Sequence, residues 1–147
     1  MSSVQKPKRN APKPLTVLLK QLQNALRASV DDALEPVHLT MPEAAVLVEL
    51  SLSPGRSNAE LARSAFMTPQ SMIAMLSALE KRGLIIRRTS PDGGRAMPAE
   101  LTEEGSRQLL RFYLAMRNVE TKLMSGLHKM EQAQLRFLLE RCLESLQ

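Results

Sequence analysis

Residues 57–105 read SNAELARSAFMTPQSMIAMLSALEKRGLIIRRTSPDGGRAMPAELTEEG, and the punctuation of this stretch decides the fold. Ser57 stands three residues before Glu60, the spacing at which a hydroxyl and a carboxylate cap each other's backbone N–H groups. A short helix is therefore predicted from about Asn58 to Ser64, with Leu61 inward. Thr68-Pro69 places a capping residue before a proline at a first-turn position where its missing N–H costs nothing, and predicts a second helix continuing to about Arg82, where Gly83 ends it. Two helices joined by a turn of about three residues form a helix-turn-helix. After Gly83, the β-branched run Leu84–Thr89 and a second candidate strand, Ala96–Leu101, flank the turn-rich Ser90-Pro91-Asp92-Gly93-Gly94, which predicts a β-hairpin with a basic tip.

On a wheel of about 100° per residue centred on Leu76, Met72, Ile73 and Leu79 turn inward, whereas Gln70, Ser71, Ala74, Ala78 and Lys81 turn outward. That outward face is small and polar. Small residues let a helix approach base edges, Gln and Ser can hydrogen-bond them, and Lys81 and Arg82 can reach phosphates near the helix end. These are the requirements of a major-groove helix. A helix that simply faces water would look the same alone; the preceding helix and the following hairpin favour DNA. The base-reading candidates are Gln70, Ser71 and Ser77, with Ala74 allowing close approach, Thr68 capping the helix and touching phosphate, and Ser57 at the start of the preceding helix. In the hairpin, Arg95 is placed to enter a narrow minor groove, with Gly93 and Gly94 allowing the approach and Asp92 orienting it. Arg87 and Arg88 alternate across their strand, so at most one faces DNA squarely, and Arg88 is taken as that one.

Outward from this stretch the pattern is helical. Leu15, Leu18, Leu19, Leu22, Leu26, Val30 and Leu34 recur at three- and four-residue steps, as in a long amphipathic helix ended by Pro36. Met41-Pro42-Glu43 opens another, carrying Ala45, Val46, Val48, Leu50 and Leu52 and stopped by Ser53-Pro54-Gly55. Thr102-Glu103-Glu104-Gly105 begins a long helix whose apolar positions are Leu109, Leu110, Tyr113, Leu114, Met116 and Val119, reaching toward Met124. A last helix from Glu131 carries Leu135, Leu138, Leu139, Cys142, Leu143 and Leu146. The fold class is mainly α with a small β-hairpin wing: one domain over 15–147 behind a basic tail at 1–14.

The composition agrees. The 147 residues fit one domain, 44% hydrophobic and 24% charged, with a net charge of +5. Between residues 54 and 96, seven basic side chains (Arg56, Arg63, Lys81, Arg82, Arg87, Arg88, Arg95) face three acids (Glu60, Glu80, Asp92), a local net of +4 that favours a polyanionic partner. A second basic cluster, Lys6, Lys8, Arg9 and Lys13, lies in the tail, where it reads as a solvated, flexible leader. No run is long enough for a signal segment or a membrane span, so a cytoplasmic protein with no membrane association is expected.

Leu61-Ala62, the run Leu79-Glu80-Lys81-Arg82-Gly83-Leu84-Ile85 with Arg87, the Asp92-Gly93-Gly94-Arg95 tip and Leu101-Thr102-Glu103-Glu104-Gly105 together resemble the MarR family of bacterial winged helix-turn-helix transcriptional regulators. The resemblance spans about Leu39 to Gly105. It implies a DNA-binding lobe over 39–104, dimerisation helices at 15–35 and 105–147, and a homodimer that binds a pseudo-palindromic operator in double-stranded DNA, usually as a repressor. The implied dimer contacts are Leu15, Leu18, Leu19 and Leu22 of the first helix with Leu135, Leu138, Leu139, Cys142, Leu143 and Leu146 of the last. It also implies release by a small aromatic or amphipathic effector between the dimerisation helices and the lobe. Candidates to line that pocket are Arg27, His38, Met41, Tyr113, Met116 and Arg117, although Tyr113 reads more readily as a core residue and His38 equally as a loop residue. Some family members sense peroxide through a cysteine in the first helix; this chain has none there, and its single cysteine, Cys142, reads as a buried packing residue.

Catalysis has no constellation to rest on. The two histidines, His38 and His128, are far apart, and there is no metal-ligand cluster, Gly-rich phosphate loop or G-x-S-x-G elbow. No cofactor is expected. Aromatic residues are 3% of the chain, too few for base stacking on single-stranded RNA. The alternative to a DNA-binding regulator is a winged-helix dimer that serves as a protein-interaction module without specific DNA binding.

Overall fold

Local capping chemistry sets the element boundaries in the computed structural model, which describes residues 12–89 and 96–146. Helix α1 (Leu15–Leu34) runs into a single 3-10 turn, Glu35–Val37, around Pro36, and the chain then reverses at His38, whose φ of 55° is left-handed. Helix α2 (Met41–Leu52) starts from a Thr40–Glu43 capping box, α3 (Asn58–Ser64) from the Ser57–Glu60 box, and α4 (Pro69–Lys81) from Thr68, whose hydroxyl accepts from the Ser71 N–H. Strands β1 (Ile85–Thr89) and β2 (Ala96–Leu101) pair antiparallel, and α5 (Glu103–Met124) and α6 (Lys129–Glu144) complete the chain. Helix α6 begins two residues before the expected Glu131. The reason is that Glu131 accepts the His128 backbone N–H at 2.8 Å and so occupies the third helical position rather than the first.

Strand register is regular from Ile85↔Leu101 to Arg87↔Ala99 and then slips before Thr89↔Ala96. Pro98 lies at the slip. It has no N–H to give the ladder, so the pairing cannot continue in step past it.

One core joins α2, α3, α4 and the strand bases to α5. Leu47, Leu61, Met72, Leu76 and Leu79 are fully buried, with Ala44, Val46, Leu50, Ala62, Leu84, Ile85, Ala99, Leu109 and Phe112 around them. Burial of each such Leu contributes roughly 1.5–3 kcal/mol. On α5 the inward positions Gly105, Leu109, Phe112 and Val119 are buried, with Met116 partly so, in steps of four, three, four and three. This stripe includes Phe112, which the apolar pattern alone passes over, and it leaves Leu110, Tyr113 and Leu114 exposed. Tyr113 is thus not a core residue; it sits about 100° around the helix from Phe112. In α2 the inward residues are Ala44, Val46, Leu47 and Leu50, and Ala45 and Leu52 face solvent.

Ile73 also departs from the wheel, being half exposed. The buried arc of α4 is centred between Met72, Leu76 and Leu79, not on Leu76, which puts Ile73 about 100° from its middle. Cys142 is exposed, as is the rest of its stripe except the half-buried Leu135, because none of the described residues packs on that side of α6. No described helix is long and apolar enough to cross a membrane.

The recognition lobe is welded to α5 at one junction. Gly83 takes the left-handed conformation (φ 70°) that ends α4, letting Leu84 N–H return to the Leu79 carbonyl at 3.0 Å. Thr102 then donates its hydroxyl to the Gly83 carbonyl at 2.6 Å and its N–H to the Leu84 carbonyl at 3.1 Å. The first turn of α5 lies so close over Leu84 that a Cβ on Gly105 would overlap that carbonyl.

Candidate nucleic-acid interface and ligand cleft

The helix-turn-helix presents α4 with its caps satisfied and its outer face open. Gln70, Ser71, Ala74 and Lys81 are exposed, and Ser77 is half-buried. Ser71 Oγ accepts from Thr68 Oγ1 at 2.9 Å, so its own proton is available for an outside acceptor. Thr68 caps the helix as its position predicts. Ser57 is committed to Glu60, its hydroxyl donating at 2.7 Å, and these hydrogen bonds hold the Glu60 carboxyl below the usual carboxylate range.

Several basic residues counted in the sequence window have structural work within the lobe. Arg56 bonds Glu49 at 2.9 Å and Ser64 at 2.8 Å, tying α2 to α3. Arg87 turns back from β1 onto α4, donating Nε to Glu80 at 2.9 Å, pairing through Nη2 with the same carboxylate and reaching Ser77 Oγ at 3.3 Å. These bonds hold the Glu80 carboxyl low. They also take up Ser77, which leaves Gln70 and Ser71 as the more open polar groups on the helix. The expected alternation in β1 holds to this extent: Arg87 faces α4. The Arg88 side chain and the whole of Arg95 lie outside the described residues. Arg82, expected near phosphate, instead donates to Glu43 Oε1 at 2.9 Å and, through Nη2, to the His38 carbonyl. It therefore fastens the end of the recognition helix to the start of α2 and to the reversal at His38.

That reversal is also a wall of a cleft of about 750 Å³ between α1 and the start of α2. Leu26, Val30, Leu34, Leu39 and Met41 make its lining mostly apolar, with Arg27, Asp31 and His38 as polar groups. Arg27 and Asp31 are an exposed pair at 3.9 Å. Of the six expected pocket residues, Arg27, His38 and Met41 meet here. Tyr113 and Met116 are not in the lining, and Arg117 belongs to a separate, more polar cleft between α5 and α6 with Glu120 and Arg136. Sequence periodicity could not separate these groups, because it fixes which face of a helix a residue occupies and not which neighbour that face meets. The cleft also uses Leu26 and Val30, which read from sequence only as an apolar stripe.

The faces expected to pair two chains are open in one. Leu15, Leu18, Leu19 and Leu22 of α1 are each at least 43% exposed, Leu138, Leu139 and Leu143 of α6 at least 40%, and α6 buries no residue. Among the described residues no group of three or more His, Cys, Asp or Glu could hold a metal ion.

Comparison with known proteins agrees with this geometry. The MarR family model matches residues 39–97. The HTH-type transcriptional repressor Rv2887 of Mycobacterium tuberculosis is 39% identical over 128 residues, covering 87% of this chain and 92% of its own. Its crystal structure in complex with DNA superposes with a TM-score of 0.72 at 35% identity, covering 89% of this chain and 98% of that one. Its complex with salicylic acid gives a TM-score of 0.67 at 38% identity, covering 89% and 97%. A mutant of MepR from S. aureus, 23% identical, shares the fold with a TM-score of 0.80 over 92% of this chain and 100% of its own.

Proposed function

Because this chain belongs to the MarR family, we propose that it is a homodimeric transcriptional repressor that binds a pseudo-palindromic operator in double-stranded DNA and acts in the cytoplasm. The observation that carries this reading is α4: a capped helix on a closed core, with Gln70, Ser71 and Ala74 exposed along its outer side. The N-terminal part of such a helix enters the major groove, with Gln70 and Ser71 meeting base edges, Ala74 permitting the approach, and Thr68 and Lys81 contacting phosphates at its two ends. Arg88 and Arg95 are assigned to the flanking backbone and minor groove, and Ser57, whose hydroxyl and N–H are both given to Glu60, acts as the cap of α3 rather than as a DNA contact. Two copies are held by the open leucine faces of α1 and α6, which spaces the two α4 helices to meet successive major grooves roughly 10 bp apart. The role is regulation rather than catalysis.

The α1–α2 cleft is the proposed effector site. Its apolar lining with Arg27 at hand suits a small aromatic carboxylate, the class of ligand in the Rv2887 salicylic acid complex. Arg82 gives such a ligand a route to DNA, since the His38 carbonyl that it grips is carried by a cleft residue.

The test is a fluorescence-anisotropy titration against the intergenic DNA upstream of the protein's own gene, at two salt concentrations and with excess nonspecific competitor. Binding that survives competitor and weakens steeply with salt is expected, because phosphate contacts release counterions. If competitor abolishes binding there and at every site recovered by genome-wide mapping, the protein-interaction reading replaces this one.

A further inference from the structure

From Pro69 to Glu80 the recognition helix contains no Lys or Arg. The commonest specific contact in protein–DNA recognition, a cation bidentate to guanine O6 and N7, cannot be made from this part of the helix. Lys81 stands at the opposite end from the turns that enter the groove, and Arg82 is held by Glu43 and His38. Ser77, a further polar group on the helix, is half-buried and accepts from Arg87. Past Pro69 at the first helical position, the exposed groups that remain near the N-terminal half are the amide of Gln70, the hydroxyl of Ser71, and two aliphatic side chains, Ile73 (51% exposed) and Ala74. Gln70 and Ile73 are three residues apart, and Gln70 and Ala74 four, so the amide and the methyl groups share one side of the helix.

We propose that α4 reads adjacent A·T pairs, with Gln70 bidentate to adenine N6 and N7 and Ile73, flanked by Ala74, packed on a thymine C5-methyl. The chemistry is complementary in both parts. A carboxamide offers one acceptor and one donor to the donor and acceptor of adenine, and the thymine methyl is the one apolar group on the major-groove edge. An isoleucine half exposed to water in the free protein gains most where it meets that methyl.

This rests on the DNA-binding reading above, and the experiment separates the two. The full-length protein is used to select duplexes from a random library in the presence of competitor. Each half-site is expected to carry adjacent A·T pairs with no guanine required at the positions contacted by α4. Thymine in the selected duplex is then replaced by uracil, which removes only the methyl. Wild type should lose about fourfold in affinity per methyl, or about fifteenfold when both half-sites are changed. Ile73→Ala should bind the thymine duplex more weakly, bind the uracil duplex as wild type does, and keep the wild-type melting temperature; Ile73→Ser is the second variant should alanine alter folding. Replacing the contacted adenine by 7-deazaadenine should weaken wild type but not Gln70→Ala. Half-sites that require guanine, or a uracil effect equal in wild type and Ile73→Ala, overturn the proposal while leaving the DNA-binding reading intact. Failure to select any competitor-resistant duplex overturns both.

Discussion

The DNA-binding lobe and the long-helix frame are made from similar apolar content, yet one is finished within a single chain and the other is not. In the lobe, α2, α3 and α4 each have their N-terminal N–H groups capped by Thr40, Ser57 or Thr68, and their inward side chains are fully buried. In the frame, α1 has no side-chain cap and α6 buries nothing, although both carry leucine stripes. The difference is one of partner, not of propensity. A lobe that closes on itself can be carried as a rigid unit, whereas a frame with open stripes ties stability and function to protein concentration.

The largest expected effect tests that difference directly. In a two-fold dimer every substitution acts twice, and burial of a leucine contributes roughly 1.5–3 kcal/mol. Leu139→Glu should therefore remove about 3–6 kcal/mol of association energy, produce monomers at micromolar concentration in analytical ultracentrifugation, and lower operator affinity at least about a hundredfold. Leu19→Glu should do the same from α1. A Leu139→Glu protein that stays dimeric would show that α6 is not the pairing surface.

Next comes the packed junction between the two regions. Gly105→Ala forces a Cβ against the Leu84 carbonyl, a backbone atom held in place by Thr102, so the first turn of α5 must shift. The expected cost is about 3 kcal/mol or more in urea unfolding, among the larger single-residue effects. Gly126→Ala, in the loop between α5 and α6, meets nothing within 4 Å and should change stability by no more than about 0.5 kcal/mol. Equal effects at the two glycines would erase the contrast between a close-packed lobe and an open frame.

The same contrast explains what is legible in the sequence. Caps and breakers act over three or four residues, so the limits of α3 and α4, the Gly83 stop and strand β2 follow from local pattern. Ile73, Tyr113 and Phe112 do not, since placing the middle of a buried arc to within one residue requires knowing what packs against it. Cys142 reads as buried because it lies on an apolar stripe, and among the described residues of one chain that stripe has no neighbour. The basic window gives a net charge that favours a polyanionic partner, while Arg56, Arg82 and Arg87 within it are paired with Glu49, Glu43 and Glu80. Net charge carries no information about which charges are already satisfied.

Arg82 links the two regions and predicts an intermediate effect. Its ion pair with Glu43 is partly exposed, which reduces its worth, but its second bond goes to the His38 backbone carbonyl, to which no other donor bonds among the described residues. Arg82→Ala should cost about 1–2 kcal/mol of stability. It should also uncouple the cleft from DNA: an aromatic carboxylate that weakens operator binding by wild type should do so less in Arg82→Ala, measured as the ratio of affinities with and without ligand. An unchanged ratio would mean that the signal reaches α4 by another route.

The smallest effect concerns a place where the lobe resembles the frame. Phe66, in the turn between α3 and α4, is 98% exposed and adopts a φ of 53°, a left-handed conformation that costs an L-residue about 1–2 kcal/mol. If the lobe is complete in one chain, this ring contributes no packing and its backbone strain is uncompensated. Phe66→Gly should then stabilise the protein by up to about 1 kcal/mol, the relief of strain exceeding the roughly 0.5–1 kcal/mol entropic cost of glycine. Phe66→Asn, which tolerates the same region, should be close to neutral or slightly stabilising. Thermal melts across a tenfold range of protein concentration decide the matter. A gain independent of concentration confirms a self-contained lobe. A loss that grows with dimer population places Phe66 against the second chain, and the boundary between the two regions then runs through the helix-turn-helix itself.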